Sequence, residues 1–451
     1  MFTINELTSI FPSYRGTADA QILIRGAMTD TRVENKQSLF VPIVGENHDA
    51  HKFINEAIKK GAVAALWQKD HELPREIPTE FPVFFVEDTL QALQETSSFY
   101  LKKVNPTVIG ITGSNGKTTT KDLVASILQV KFRTHKTAGN YNNHIGLPLT
   151  ILSMPSNTEV AVLEMGMSQA GEISLLSKLA EPSHVIITNI GESHIEYLGS
   201  REGIAKAKLE ILNGWHDGTF IFDGDEELLN SYLGTDRSVS CGFLSQSSVV
   251  IKVHELLEDR SHFEVLAHNY TLPIAGRHNV KNAAYAISLA QTLGLTPGEI
   301  QSGFDNLELS GMRFEKVDGI NGSLLINDAY NASPTSMKAT IGIIEELQSR
   351  SHKILVLGDM FELGEFAGEL HEDVATVISD QISSVYTIGE HANRIVESVK
   401  VKHPNIESIH FKDKESLSDH LKKKLTANTV VLIKASRGMK LEQLLNDLTE
   451  K

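Results

Sequence analysis

One eleven-residue stretch limits what this chain can become more than any other: Ile109-Gly110-Ile111-Thr112-Gly113-Ser114-Asn115-Gly116-Lys117-Thr118-Thr119. An apolar strand runs into it, and a helix with Leu123, Val124, Ile127 and Leu128 on one stripe runs out of it. Glycines let backbone N–H groups curl around phosphate oxygens, and the helix start adds partial positive charge. Lys117 is then the side chain to reach β- and γ-phosphate oxygens, and the Thr118 hydroxyl the one to hold magnesium. The general pattern G-x-x-x-x-G-K-[ST] is met in its second half only: Ile111 stands at the first glycine position and Gly113 supplies the early turn. The bland alternative is a glycine-rich strand-to-helix turn with a solvated lysine. A guanine-reading N-K-x-D is missing, because the one Asn-Lys pair, Asn35-Lys36, is followed by Gln37-Ser38 and precedes the loop.

The rest of the pattern places this loop in the second of three domains, an α/β organisation throughout. Residues 1–103 read as a small α/β domain, with apolar runs at 39–41, 62–67 and 83–86, a helix over 52–60 and a helical tail to 102. Lys102-Lys103-Val104-Asn105-Pro106 breaks the pattern. Residues 104–311 form the P-loop domain, whose continuous apolar runs at 108–111, 160–163 and 185–187 predict buried parallel strands. Alternation at Phe263, Val265 and Ala267, then Tyr270, Leu272 and Ile274, predicts an antiparallel hairpin appended to that sheet, followed by a helix over 279–293. From 312 to 451, apolar runs at 324–326, 354–357, 385–388 and 430–433 alternate with helical segments, the βαβ rhythm of a Rossmann-like open sheet.

Charge and cysteine content narrow the partners. A net charge of −15 opposes a nucleic-acid polyanion. The lone Cys241 reads as a small buried apolar residue in a reducing compartment, the cytoplasm. The first residues lack a basic-then-apolar leader, and no run approaches a membrane span, so no membrane partner is expected.

Beyond the loop, single residues carry weaker signals. Glu164 closes a buried strand and would face the same crevice, a suitable oxygen ligand for magnesium, or else a plain strand-end carboxylate. His194 follows another strand, as a ligand or as a packed residue. Lys208, by spacing alone, belongs on a solvated helix face beside Lys206.

Taken together, the segments 113–119, Asn142-Asn143-His144-Ile145-Gly146, Leu163-Glu164-Met165-Gly166, Gly276-Arg277-His278-Asn279-Val280-Lys281-Asn282, Met312-Arg313-Phe314-Glu315 and Asp328-Ala329-Tyr330-Asn331-Ala332-Ser333-Pro334 resemble the Mur ligase family, in order and across the whole chain. The resemblance implies a uridine-nucleotide domain, a central ATPase and a mobile third domain that brings in an amino substrate. It implies ATP bound by Gly113, Ser114, Asn115, Gly116, Lys117, Thr118 and Thr119. Asn279 and Asn282 would lie at the adenine end, Arg313 at the γ-phosphate, and Asp328 would be a nucleotide contact from the third domain. Two magnesium ions would be held by Thr118, Glu164, His194 and a carbamylated Lys208. Lys117, Glu164, His194, Lys208 and Arg313 would be the catalytic set.

Substrate residues follow from the same likeness: Thr31, Arg32, Asn47 and His51 for the uridine diphosphate, where Ala50 replaces the glycine of the family's Asp-Gly-His, with Asn142 and Asn143 beside the ATPase. Tyr330, Asn331, Ser436 and Arg437 would meet the amino substrate, Ala435 standing for the glycine of Lys-Gly-Ser-Arg. No Asp-Asn-Pro-Arg of the diaminopimelate-adding branch occurs, which favours the branch that adds D-alanyl-D-alanine to UDP-N-acetylmuramoyl-tripeptide. The expected reaction is amide formation through an acyl phosphate by a monomeric enzyme. The competing readings are a non-catalytic nucleotide-binding regulator with the same fold, and a folyl-polyglutamate-type ligase, which would not be expected to carry the first domain.

Overall fold

The computed structural model describes residues 2–18, 21–45 and 48–450. In the first domain, strands Gly26–Met28, Ser38–Phe40, Ala62–Gln68 and Val83–Val86 pair in parallel, and the short Tyr14–Arg15 closes one edge antiparallel. The helix Thr89–Val104 starts where Asp88 accepts from the Gln91 N–H, and it ends at Asn105 in the left-handed conformation, just before Pro106. Its face of Ala92, Leu93, Thr96, Tyr100 and Leu101 is buried, and Tyr100 donates to the Met154 carbonyl at 2.7 Å. The first and second domains therefore share apolar packing beneath this helix, although the composition break at 102–106 reads as a clean separation. Each fully buried side chain of Leu93 size contributes roughly 1.5–3 kcal/mol, as an upper bound.

The central sheet has seven strands, all parallel, in the order Thr134–Lys136, Val160–Glu164, Thr107–Thr112, His184–Ile187, Phe220–Asp223, Ser238–Gly242, Val249–Val250. The chain leaves Thr107–Thr112 toward one side and returns to its other side, which opens a crevice at the carboxyl end of that strand. Helices Lys117–Gln129 and Arg277–Thr292 cover one face. Cys241 is wholly buried there, with its Sγ 3.3 Å from Ser288 Oγ, and burial pushes its thiol up to about 12.

The expected hairpin exists, Ser261–Val265 with His268–Leu272, but it is not appended to the central sheet. With Lys252–Leu256 it makes a separate three-stranded antiparallel sheet. Ala267 leaves the alternation because Leu266 and Ala267 form the two-residue turn, both at positive φ.

The third domain is the open sheet anticipated, ordered Glu315–Asp318, Leu324–Asn327, Thr429–Lys434, His352–Gly358, Ser384–Ile388, Glu407–Phe411. Only the first of these, a charged edge strand, runs antiparallel. Its carboxyl ends, at Asp328 and Lys434, face the crevice of the central sheet across one cavity.

Candidate active site

Thr112 ends the strand and the chain turns sharply. A Cβ on Gly113 would lie 1.9 Å from Thr188 Oγ1, and one on Gly116 would lie 2.7 Å from Asn282 Oδ1, so both positions require glycine. The segment after the neighbouring strand braces the loop: Asn115 N donates to Asn189 Oδ1 at 2.9 Å, Gly191 N donates to Ser114 Oγ at 2.8 Å, and Thr188 Oγ1 donates to the Asn115 carbonyl at 2.5 Å. Lys117 Nζ curls back onto the carbonyls of Gly113 and Ser114, at 2.6 and 3.3 Å. Burial pulls its ammonium below the ordinary lysine range, Glu164 opposes that, and Arg313 adds to it.

The loop, Glu164, Asn279, Asn282, Arg313 and Asp328 line one cavity of about 1060 Å³, as do Asn142, Asn143, Thr119, His194, Tyr330 and Asn331. Thr118 is its hub. The Thr118 hydroxyl donates to Glu164 Oε2 at 2.7 Å and accepts from Arg313 Nη2 at 2.7 Å. Asn142 Nδ2 fixes the second oxygen of Glu164 at 2.8 Å. The Arg313 guanidinium lies 4.2 Å from the centre of the Tyr330 ring, a contact that orients it without using its donors. Asn115 Nδ2 and Arg313 Nε are buried and lack a hydrogen-bond partner among the described residues. Unmatched buried donors of this kind suit an anionic ligand.

Lys208 departs from its solvated reading. Helix Arg201–Leu209 exposes Lys206 and buries Lys208, which is 1% exposed. Its Nζ makes no hydrogen bond or ion pair among the described residues. Burial first, and the Lys117 charge second, hold its amine well below the usual lysine range. A neutral buried amine is what carbon dioxide reacts with to form a carbamate, and the product would be an oxygen ligand of the hard type magnesium takes. His194, in the left-handed conformation, pairs through Nδ1 with Glu362 of the third domain.

The third domain closes the cavity through several bonds. Ser333 Oγ donates to Asn115 Oδ1 at 3.0 Å and Thr335 Oγ1 to Glu192 Oε2 at 2.7 Å. Asp328 is fully engaged by its own domain, accepting from Lys434 Nζ at 2.5 Å, Thr340 Oγ1 at 3.0 Å and Phe314 N at 3.1 Å. Lys434, Glu192 and Glu362 are site residues that the sequence reading gave no role. Lys434 stands at a strand end like Glu164, a signal that could have found it; nothing local marks the other two.

Other expected residues are already engaged or lie away from the cavity. Asn143 Oδ1 accepts from the Gly146 N–H at 2.8 Å and so starts the helix Gly146–Ser153. Ser436 is buried, its Oγ accepting from Phe361 N at 2.8 Å, and Arg437 reaches Met312 Sδ and Glu442. Neither lines the cavity. In the first domain Thr31 donates to Glu56 and the exposed Arg32 is forked onto Asp30. Asn47 lies outside the described residues. His51 is turned inward, contrary to its expected contact with a ligand: Nδ1 meets Asp49 Oδ1 at 2.7 Å, Nε2 accepts from Gln68 N at 3.2 Å, and the ring stacks on His71. With both nitrogens used, it shapes the segment instead of offering a free polar atom.

Comparison with known proteins agrees with this geometry. Residues 111–290 match the Mur ligase middle domain, and residues 312–437 match the glutamate ligase domain of Mur ligases. The chain is 46% identical over 436 residues to UDP-N-acetylmuramoyl-tripeptide--D-alanyl-D-alanine ligase of Bacillus subtilis, covering 95% of this chain and 94% of that protein. A crystal structure of MurF from Acinetobacter baumannii superposes with a TM-score of 0.87 at 28% identity, covering 100% and 99% of the two chains. MurF of Thermotoga maritima in complex with ADP gives 0.80 at 28%, covering 95% and 97%. A phosphate loop shared by two domains, in a chain related along nearly its full length to such enzymes, makes this protein a member of the Mur ligase family.

Proposed function

We propose that this chain is an ATP-dependent amide ligase that joins D-alanyl-D-alanine to UDP-N-acetylmuramoyl-tripeptide through an acyl phosphate. The observation that carries the reading is the Thr118 hub, where one hydroxyl links a central-domain carboxylate, Glu164, to a third-domain cation, Arg313. Joining a carboxylate to an amine in water is uphill, so the carboxylate needs a leaving group, and phosphate from ATP supplies one. The tripeptide carboxylate and the γ-phosphate repel each other. Lys117, released from its own loop carbonyls, and Arg313, delivered by the third domain, offset that repulsion and hold the two in line. The N–H groups at the start of helix Lys117–Gln129 cradle the remaining phosphates, and Asn279 and Asn282 take the adenine end.

Magnesium, when bound, would neutralise phosphate oxygens; Thr118, Glu164, His194 and a carbamylated Lys208 are the groups offered to two such ions. After activation, the neutral dipeptide amine attacks the acyl carbon, and the same cations stabilise the oxyanion before phosphate leaves. Tyr330, Asn331, Ser436 and Arg437 are assigned to the dipeptide, and Thr31, Arg32 and Asn47 to the uridine diphosphate, with His51 supporting that segment. Asn142 and Asn143 order the wall between them. Asp328 is assigned to the nucleotide as a contact from the third domain. The domains are assigned as 1–103, 104–311 and 312–451, and the enzyme as a cytoplasmic monomer, which suits the lone thiol of Cys241.

Ligation followed by mass spectrometry, omitting one reactant at a time, tests the reading. Product and phosphate release are expected only with ATP, the tripeptide nucleotide and the dipeptide together; steady ATP turnover without the dipeptide, or binding without turnover, contradicts it. Carbon-13 bicarbonate tests Lys208 separately: a carbamate resonance is expected in the wild type and is lost in Lys208→Met.

A further inference from the structure

The linker between the central and third domains is clamped on both sides of one residue. Ser310 is held by the central domain: its N–H and its hydroxyl both donate to Asp122 Oδ2, at 3.0 and 2.9 Å. Met312 is held by the third domain, its N–H donating to Glu315 Oε2 at 3.0 Å, and Phe314 N donates to Asp328 Oδ1 at 3.1 Å. Gly311 stands alone between the clamps. Met312 and Phe314 flank Arg313 at φ +59° and +53°, so a sharp, left-handed bend aims that guanidinium at Thr118.

Asp122 is an unusual place to anchor a linker. It is wholly buried on the helix Lys117–Gln129, five residues beyond Lys117, and it does not line the cavity. Its other oxygen accepts from Lys136 Nζ at 2.7 Å and lies 3.3 Å from Lys121 Nζ. Lys121 Nζ goes on to the Thr137 carbonyl at 3.0 Å, and Thr137 Oγ1 receives the Glu164 N–H at 2.9 Å. A buried carboxylate is costly unless ion pairs and hydrogen bonds saturate it, and this one is saturated by two ammonium groups and the linker. The same rigid helix thus carries the phosphate loop at its start and the linker clamp on its next turn.

We propose that Asp122 is a positioning residue, the central-domain pin of the interdomain pivot, which fixes where Arg313 arrives relative to Thr118. The inference deepens the function proposed above and rests on it only for Arg313 acting at phosphate. Asp122 acts through the linker and Arg313, and touches neither nucleotide nor peptide. Removing the pin leaves the nucleotide pocket intact and loosens the angle at which the third domain closes.

The test uses the full chain with dyes on Asp236→Cys and Val401→Cys, two exposed positions in the central and third domains, Cys241 being buried. Single-molecule distance distributions are recorded with saturating ADP for the parent, Ser310→Thr, Ser310→Ala and Asp122→Asn. The parent and Ser310→Thr, which keeps both donors, should give one narrow distribution; Ser310→Ala should broaden it and Asp122→Asn should broaden it further. ADP affinity should change by less than about threefold, while kcat falls on the order of tenfold to a hundredfold, the cost of a misplaced catalytic group. Unchanged distributions in both variants overturn the proposal, as does a broadened distribution with unchanged kcat, or ADP affinity falling in step with kcat. If Asp122→Asn fails to fold, Ser310→Ala decides alone. The distances need no catalysis, so a parent protein that fails to ligate would remove the proposed function and leave the pin to be judged on its distributions.

Discussion

Arg313 and Arg32 were both expected to meet phosphate groups, and the two are set up in opposite ways. Arg313 stands against Tyr330 and Thr118, with Nε buried and unmatched among the described residues. Arg32 is 88% exposed and forked onto Asp30, two residues away, whose carboxyl its hydrogen bonds hold at about 2. One guanidinium is oriented before any ligand arrives; the other must leave a local partner in water to engage one. Preorganised charge works in a dry site, where it is worth most, whereas an exposed pair contributes little to stability or binding until a ligand excludes water. The contrast assigns rate to the shared cavity and affinity to the first-domain surface.

The largest effect expected from this contrast is at Lys117. Lys117→Ala should lower kcat by about a thousandfold or more, since the chief cation at the transferring phosphate is lost. A steady-state assay of phosphate release checks it. Arg313→Ala should cost on the order of a hundredfold in kcat with a small change in ADP affinity by calorimetry; an equal loss in both would make it a ground-state contact and blur the comparison. Arg32→Ala should do the reverse, raising KM for the nucleotide peptide by about tenfold, the worth of one charge-assisted hydrogen bond, at unchanged kcat.

The smallest effect concerns the histidine pair of the first domain. Hydrogen bonds to Asp70 and Asp49 raise the His71 pKa, and burial opposes them. Such a group contributes stability below its unfolded value, near ~6.5, and loses it as pH rises through the folded value. Burial alone would raise Asp49, but its bonds with His51 and His71 outweigh that and hold it at about 2, so its contribution survives until pH falls through that range. Thermal melts should therefore show a modest fall in Tm as pH rises above ~6.5, flattened in His71→Gln.

How much of this was legible in the sequence depended on whether the information was local. The phosphate loop, its strand and its helix lie within contiguous residues, and each makes its contribution through backbone geometry that the glycines dictate. Strand ends such as Glu164 and Asp328 follow from the apolar runs that stop there. Lys208 did not, because helix Arg201–Leu209 carries lysines on two faces and only tertiary packing decides which is buried. The edge strand Glu315–Asp318 escaped because three of its four residues are charged, and its pairing with Leu324–Asn327 defines it. The inward engagement of His51 was not legible locally, because it depends on Gln68 and His71, at the end of strand Ala62–Gln68 and in the turn after it. Asp122 carries no local mark, since its partner Ser310 is nearly two hundred residues away.

Whether the tripeptide carboxylate itself takes the γ-phosphate can be read from the oxygen atoms of the released phosphate. UDP-N-acetylmuramoyl-tripeptide labelled with oxygen-18 in its terminal carboxylate is incubated with ATP, magnesium and D-alanyl-D-alanine, and the released phosphate is analysed by mass spectrometry. One labelled oxygen is expected in each phosphate formed with product; unlabelled phosphate alongside normal ligation rules out transfer to the carboxylate.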